Sequence, residues 1–436
     1  PMARKMMPPS KKDIVLFVVN VPEGVVGALK ELKKMYGYKV LSAAIYDPKK
    51  PSEVELVQQS HVDILIPVDF SSPSKITKAL LPYQDRLLAI TCRGEYNIGH
   101  FRELIPHVPY LRTPTATSLE WATNKLEMRK RFFAYDSSIT PQFTVVENAG
   151  KASIKKITQR VGFPLVMKPT GLAASLLVTL CYHQDELEKA LKGAFRKVRK
   201  LYREQGAPTE PKMLVEEFME GEMYSIDSYV TTRGKVYHCP IVHIKTGRSV
   251  GYDDFFGYVR ITPTQLSKTS IQAAQVVATK TVRALGLRNS TAHTELMRTE
   301  DGWKVIESGP RIGGNRVLMY QLSYGFDHAL NDILVRIPKK PVISNRVRGY
   351  TAVLEFFAKQ EGRITKIKGV KKSQELGSFH TLVEKKKDVE RAKFARHGGK
   401  AVLTVNLFHR KRADLLADIR RLEKMVLIET KKRSAP

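Results

Sequence analysis

Long apolar runs are missing from this 436-residue sequence: no stretch of about 18 apolar residues occurs, so no membrane-spanning helix is expected. The N-terminal PMARKMMPPSKKD has no apolar stretch of the kind that directs secretion, and residues 1 to about 11 are set apart from the fold reading. Cysteine is scarce. Cys92, Cys181 and Cys239 are odd in number, widely spaced and without a Cys-x-x-Cys, so neither a disulfide framework nor a zinc site is implied, and a reducing cytoplasm is expected. Acidic residues are in deficit, with 43 Asp and Glu against 73 Lys and Arg, a formal charge of +30. An excess of that size first suggests a nucleic-acid partner, yet aromatic residues are not interleaved with the basic clusters and no RNA- or DNA-binding motif accompanies them. A Gly-x-Gly-x-x-Gly turn is absent, so a dinucleotide site at NVPEGVVG is unsupported.

What is present is 42% apolar content, enough core for two or three domains at roughly 100–200 residues each. Residues 12–117 alternate continuous apolar runs (IVLFVVN at 14–20, KVLSAAIY at 39–46, VDILIPVDF at 62–70, RLLAIT at 86–91) with amphipathic stretches such as VVGALKELKKMYG. Strands buried on both faces and separated by helices predict a parallel α/β domain. From Ser118 the pattern changes. SLEWATNKLEMRKRFFAY predicts one helix, Pro141 opens a strand, and VGFPLVMKP leads through GLAAS into LLVTLCY and a charged helix at 185–205. Two hairpins follow, turning at TTRG and TEDG, so residues 118–340 are expected to be α+β. After IPKKP, residues 341–436 are expected to form a small α+β lobe. The predicted class is therefore a multidomain α/β and α+β protein.

One hairpin carries candidate chemistry. HTELMRTEDGWKVIESGPRIGGN puts Glu295 and Glu307 on partner strands, twelve residues apart around the TEDG turn. Two carboxylates side by side, with phosphate oxygens nearby, suit Mg²⁺; an exposed cross-strand pair is the other reading. Glu307 ends an apolar strand and is followed by Gly309, Pro310, Arg311, Gly313 and Gly314, a loop suited to close backbone approach to a ligand.

With Lys125 in a helix, Lys168 ahead of a small-residue loop, LVEEFMEGEMYSID, Glu295 and EsgpRiGGN in that order, the sequence resembles the ATP-grasp superfamily of carboxylate–amine ligases over about 118–325. The preceding α/β segment resembles the pre-ATP-grasp domain, and Glu-x-x-x-Arg-x-Gly-Gly is most similar to the L-amino acid (dipeptide) ligase branch. The resemblance implies ATP with Mg²⁺ or Mn²⁺. Lys125 and Lys168 would reach the phosphates as point charges. Glu216 would accept from the adenine amino group, and main-chain groups of Glu217 and Met219 would meet the base edge. Glu295 and Glu307 would hold the metal, and Arg311 would clamp the acyl-phosphate or the substrate carboxylate. The implied reaction is attack of a carboxylate on the γ-phosphate, then of an amine on the acyl-phosphate, giving an amide, ADP and phosphate. An ATP-grasp carboxylase or nucleotide-biosynthesis ligase is the alternative enzyme; biotin carboxylase is disfavoured because its Gly-rich loop is missing.

The sequence departs from the family in three places. GLAASLL keeps only Gly171 and Ser175 of a glycine-rich phosphate loop, with Leu177 where Gly is common. Met223 stands where the ribose carboxylate usually lies; Glu222, one residue earlier, is the candidate substitute, although a one-residue slip reverses a side chain's face. Gly309 stands where Asn is common, with Asn315 a candidate to share the metal. In HIKTGRSVGYDDFFGYVRITP, the residues His243, Arg248, Asp253, Asp254, Phe255 and Arg260 are either substrate contacts or loop surface. His293 is expected to be a hydrogen-bonded core histidine.

Residues 341–436 hold 24 Lys or Arg against 10 Asp or Glu. Their clusters allow a nucleic-acid face, an acidic partner or a solvated basic surface. The partners implied are a small-molecule carboxylate and amine, with a nucleic acid, an acidic partner or a second copy in a homodimer left open. A non-catalytic nucleotide-binding protein that uses this lobe is the reading from a different class.

Overall fold

Ile14–Val18 is buried at all five positions because both faces of its sheet are covered. The computed structural model describes residues 11–170, 177–204, 211–252, 254–384 and 391–431. Strands β1 (Ile14–Val18), β2 (Leu41–Tyr46), β3 (Ile64–Pro67) and β4 (Leu87–Thr91) form a parallel sheet of order β3-β2-β1-β4. Val15 and Phe17 pack with Val25, Ala28 and Leu32 of the helix Val25–Tyr36 and with Ala329, Ile333 and Leu334 of the distant helix His328–Arg336. Ile14, Leu16 and Val18 face a second cluster with Ile76, Leu80, Phe101 and Leu104. The chain reverses its winding at β1, between β2 and β4.

The helix expected from Ser118 is divided: Ala116–Trp121 is one helix and Lys125–Tyr135 the next. Asn124 accepts from the Leu126 and Glu127 amides at 3.0 and 3.1 Å, and this cap, in extended backbone, starts a new helix at Lys125. Beyond it, β5 (Phe143–Val146), β6 (Leu165–Pro169), β7 (Thr179–Cys181) and β8 (Met213–Glu217) make an antiparallel sheet of order β5-β8-β6-β7, backed by the helices Lys151–Arg160 and Gln184–Glu204.

The larger antiparallel sheet has β9 (Glu222–Val230), β10 (Val236–His238), β11 (Val242–Thr246), β12 (Gly257–Thr262), β13 (Ser290–Thr299), β14 (Gly302–Gly309) and β15 (Tyr350–Phe356). Of the later strands, β17 (Phe379–Glu384) and β19 (Leu403–His409) join it, whereas β16 (Gly362–Lys368), β18 (Arg391–Ala392) and β20 (Leu427–Lys431) form a small sheet. Among the described residues the large sheet runs β14-β13-β9-β11-β12-β15-β19-β17, with β10 paired to β9. Strands from residues 341–436 therefore extend the sheet that carries both candidate metal carboxylates. The terminal ADLLADIRRLEKMVLIE divides into the helix Arg412–Met425 and strand β20, the change falling where β-branched residues follow Met425. Among the described residues no helix is long and apolar enough to cross a membrane.

Candidate active site

The register of β13 and β14 builds the carboxylate pair. Leu296 pairs with Val305, but a bulge shifts the next rung so that Glu295 pairs with Glu307. Without the extra residue, Ile306 would oppose Glu295 and Glu307 would turn to the other face. The bulge thus places two carboxylates directly across from each other. Burial and the charge of Glu295 push the Glu307 carboxyl above its ordinary value. Burial also acts to raise Glu295, but the His293 hydrogen bond and the charges of Arg260 and Arg311 hold it below the ordinary value.

Both carboxylates line a cavity of about 1200 Å³, together with Lys125, Lys168, Glu216, Glu217, Met219 and Arg311. Lys168, fourth residue of β6, is drawn to Glu216 of the neighbouring β8, with Nζ 2.7 Å from Oε2. Burial lowers Lys168 and, opposing the effect of burial on Glu216, Arg129 and Lys168 bring that carboxyl down to about 2. Each Glu216 oxygen accepts from a cation and the residue is only 3% exposed, so its first task is to hold Lys168 rather than to offer a free carboxylate to a base. Lys125 is the first residue of its helix, and its charge, with that of Lys168, acts to lower Glu307.

Arg129, one turn after Lys125, was not singled out by sequence. Its Nε meets Glu216 Oε1 at 2.5 Å, Nη1 donates to the Val305 carbonyl at 2.7 Å and Nη2 to the Ile306 carbonyl at 2.6 Å. One planar fork therefore joins the Lys125 helix, β8 and the residues just before Glu307. Only its i, i+4 spacing from Lys125 could have marked it.

Arg311 Nη2 pairs with Glu95 Oε2 at 2.7 Å. Glu95 follows β4, and Asn20, Arg93, Gly94 and Tyr96 line the same cavity. These loops lie at the carboxyl ends of β1 and β4, beside the point where the sheet order reverses, which is where open parallel sheets bind ligands. That rule, applied to RLLAITCRGEY, could have found them.

Asp227 ends the SID segment of β9. It is fully buried: Oδ1 meets His293 Nδ1 at 2.6 Å, Oδ2 meets His328 Nε2 at 2.7 Å, and Oδ2 accepts from the Gly313 amide at 2.8 Å. His293 is the hydrogen-bonded histidine expected, and it also lines the cavity, with Nε2 3.6 Å from Glu295 Oε1. A Cβ on Gly313 would lie 2.5 Å from His293 Nδ1, so this glycine makes room for the histidine, whereas Gly314 faces the cavity with open space.

Two expected contacts are not brought to the carboxylate pair. Glu222 pairs with Arg298 on β13 and accepts from the Tyr224 hydroxyl at 3.1 Å, and Tyr224 packs in the cluster behind the sheet; Met223, paired with Met297, shares the face of Glu295. The one-residue offset thus puts Glu222 on the opposite face of β9 from Met223, and both residues line the cavity. Asn315 is not among the residues lining the cavity but sits at φ 62° as the residue from which the helix Arg316–Tyr324 starts. Asp254 is 2% exposed and accepts from the Ala395 amide at 2.7 Å, so it braces the loop rather than meeting a substrate. His243, Arg248, Phe255 and Arg260 line the cavity. Gly171, Ser175 and Asp253 lie outside the described residues; Leu177 holds φ 58°, a left-handed conformation that glycine adopts freely.

The carboxylate pair fits a hard divalent cation. The charge of Glu295 raises Glu307, and oxygen donors suit Mg²⁺ or Mn²⁺; among the described residues no third His, Cys, Asp or Glu joins a metal-sized group, so phosphate oxygens would complete the shell. Comparison with known proteins agrees with this architecture. The ATP-grasp domain family matches residues 161–318, and the L-amino acid ligase from Bacillus licheniformis superposes with a TM-score of 0.71 over 98% of this chain and 100% of its own, at 18% identity. The chain has the ATP-grasp fold. The alanine–anticapsin ligase of Bacillus amyloliquefaciens is 27% identical over 263 residues, which is 56% of this chain and 53% of that one. The D-alanine–D-alanine ligase of Lacticaseibacillus casei is 28% identical over 160 residues, 35% of this chain and 39% of its own. The chain thus spans about half the length, or less, of these curated relatives.

Proposed function

We propose that the chain is an ADP-forming carbon–nitrogen ligase that activates a carboxylate as an acyl-phosphate and couples it to an amine, with amino acids as the substrate class. The observation that carries this is Glu295 opposite Glu307 in a cavity that Lys125, Lys168 and Arg311 also line. The ligase relatives support the same reading.

Lys125 and Lys168 hold phosphate oxygens, and Glu216 fixes the direction of Lys168. Main-chain groups of Glu217, at the end of β8, and of Met219 just beyond it receive the adenine edge. Glu295 and Glu307 would hold Mg²⁺ or Mn²⁺, which when bound neutralises charge between the β- and γ-phosphates. A carboxylate oxygen of the first substrate forms its bond to the γ-phosphorus as the bond to the ADP oxygen breaks. Arg311, aimed by Glu95, holds the developing anion with its planar fork. The amine nitrogen then bonds to the acyl carbon, phosphate leaves with its bonding electrons, and the amine gives up a proton. We read the chain in three parts, 12–117, 118–340 and 341–436, the first of which supplies Glu95 to the second.

The test is phosphate release from ATP with pooled amino acids and organic acids. Release should require both a carboxylate and an amine, and Glu307→Ala should lower it by a factor of about 10³ or more, since charge stabilisation at the transferring phosphoryl group is lost. Release that ignores the carboxylate and amine, or survives Glu307→Ala, would overturn the assignment.

A further inference from the structure

Of the cations lining the cavity, Arg93 and the exposed Lys245 make no hydrogen bond or ion pair with a described residue, and of these two only Arg93 is partly buried. Lys168 is held by Glu216, Arg311 by Glu95, Arg260 by Glu355 at 3.4 Å, and Arg316 donates to Ser225 Oγ at 2.7 Å. Arg93 makes no hydrogen bond and no salt bridge with any described residue, although it lies in the turn that also supplies Glu95. It is only partly exposed. Burial and the charge of Arg311 lower its proton affinity, against the opposing charge of Glu23, so the guanidinium sits where an anion is missing. Tyr96, three residues on, is 80% exposed and lines the same cavity, an aromatic surface beside the unpaired guanidinium. Both follow β4 at the point where the parallel sheet reverses its order.

We propose that Arg93 is a specificity-determining residue that binds a carboxylate other than the one being phosphorylated. This rests on the ligase reading above and deepens it: the reaction joins two molecules, and Arg311 with the Glu295–Glu307 edge serves the reacting carboxyl group. A free carboxylate has two sources, the α-carboxylate of an amino acid acting as amine donor or the side chain of a dicarboxylic substrate. In either case a planar fork gives a bidentate, charge-assisted grip that a Lys ammonium does not reproduce. A carboxylate neutralised by Arg93 also no longer favours the ammonium form of its own amine, which must lose a proton before it can attack.

The experiment is calorimetric titration of the full chain, loaded with Mg²⁺ and a non-hydrolysable ATP analogue, with four probes: L-alanine, L-alaninamide, L-aspartate and L-asparagine. The wild-type chain is compared with Arg93→Gln and Arg93→Lys, with thermal melting of each variant to establish that it is folded. Arg93→Gln should lose about tenfold or more in affinity for a carboxylate probe and less than about twofold for its amide counterpart, and Arg93→Lys should fall between. A loss between alanine and alaninamide assigns the group to the α-carboxylate; a loss confined to aspartate against asparagine assigns it to a side chain. Equal losses for acids and amides, no loss for any probe, or no binding of any probe by the wild-type chain overturns the proposal. Weakened binding of the ATP analogue with unchanged alanine and aspartate also overturns it, because the guanidinium would then belong to the phosphates. Phosphate release by the wild-type chain is measured separately: if that fails while Arg93 still discriminates acids from amides, the ligase reading falls and the carboxylate subsite stands.

Discussion

Arg129 offers a direct test of how the site is held together. It is 1% exposed, and its fork spends three N–H groups on Glu216, the Val305 carbonyl and the Ile306 carbonyl. Arg129→Met removes all three. Glu216 then keeps Lys168 as its remaining salt-bridge partner among the described residues, and the carbonyls of Val305 and Ile306 lose their Arg129 donors, leaving a buried ion pair half dismantled. Removing one partner of such a pair costs about 3–5 kcal/mol, and that is the expected fall in unfolding free energy by urea titration followed by circular dichroism. Arg129→Lys keeps the charge but presents a single ammonium to three acceptors arranged for a fork, so it should lie between wild type and Met. Because the same fork ties the Lys125 helix to β8 and β14, affinity of folded Arg129→Lys for an ATP analogue should fall about tenfold, the effect of one charge-assisted contact. A loss below about 1 kcal/mol for Arg129→Met would refute the reasoning, since it sits below the cost of a single unmade buried hydrogen bond. Equal losses for Lys and Met would refute the fork and leave only packing.

Asp332 makes a comparable brace between the parallel sheet and the rest of the chain, accepting from Thr91 Oγ1 at 2.5 Å, Thr291 Oγ1 at 2.6 Å and Arg336 Nη2 at 3.0 Å. Asp332→Ala should cost about 3–5 kcal/mol in urea unfolding, and pairing Asp332→Leu with Arg336→Met should recover most of the loss, because no buried charge is then left alone. His238 is bonded to Ser228 Oγ at 2.8 Å and Thr279 Oγ1 at 2.9 Å, and burial brings its pKa down to about 4. The unfolded chain, near 6.5, binds the proton first, so this contribution to stability is present above about pH 6.5 and is lost as pH falls towards 4. Melting of His238→Gln should be less sensitive to pH across that window, and an unchanged profile would count against a neutral buried imidazole. Met223→Glu should strengthen binding of a ribonucleotide about tenfold while Glu222→Gln leaves it unchanged, measured by titration with ADP, because the Met223 side chain shares the face of Glu295. The opposite pattern would show that the register argument misassigns the two side chains.

Much of this architecture was legible in the sequence for simple reasons. Continuous apolar runs announced β1 to β4, and the TTRG and TEDG turns announced the hairpins β9–β10 and β13–β14. The carboxylate pair was found from its spacing, but the reason it works was not: the bulge after Glu295 is a backbone event with no glycine or proline at Glu295 or Leu296 to mark it. Nor could the sequence show that Asn124 would cut one helix into two, since SLEWATNKLEMRKRFFAY carries a helical pattern throughout and the cap wins only because its side chain satisfies two amides. Glu95, Arg129 and Asp227 carry no local signal because each acts across a long sequence separation: Glu95 meets Arg311, Arg129 meets Glu216 and β14, and Asp227 meets His293 and His328. Local patterns identify elements, and these contacts exist only once the elements have packed.

The chain's charge of +30 invites the view that a basic protein attracts an anionic substrate by net charge. The cavity argues otherwise. Eight Lys and Arg line it, and so do eight Glu, so the region where phosphates and carboxylates would meet is formally balanced while the excess lies elsewhere on the molecule. Within that balance Lys168 is held by Glu216, Arg311 by Glu95 and Arg260 by Glu355, which fixes their directions at the expense of their attraction for a ligand. A paired cation orients a ligand and an unpaired one recruits it. Selectivity in such a site therefore comes from which charges are left without a partner, and Arg93 is a partly buried one.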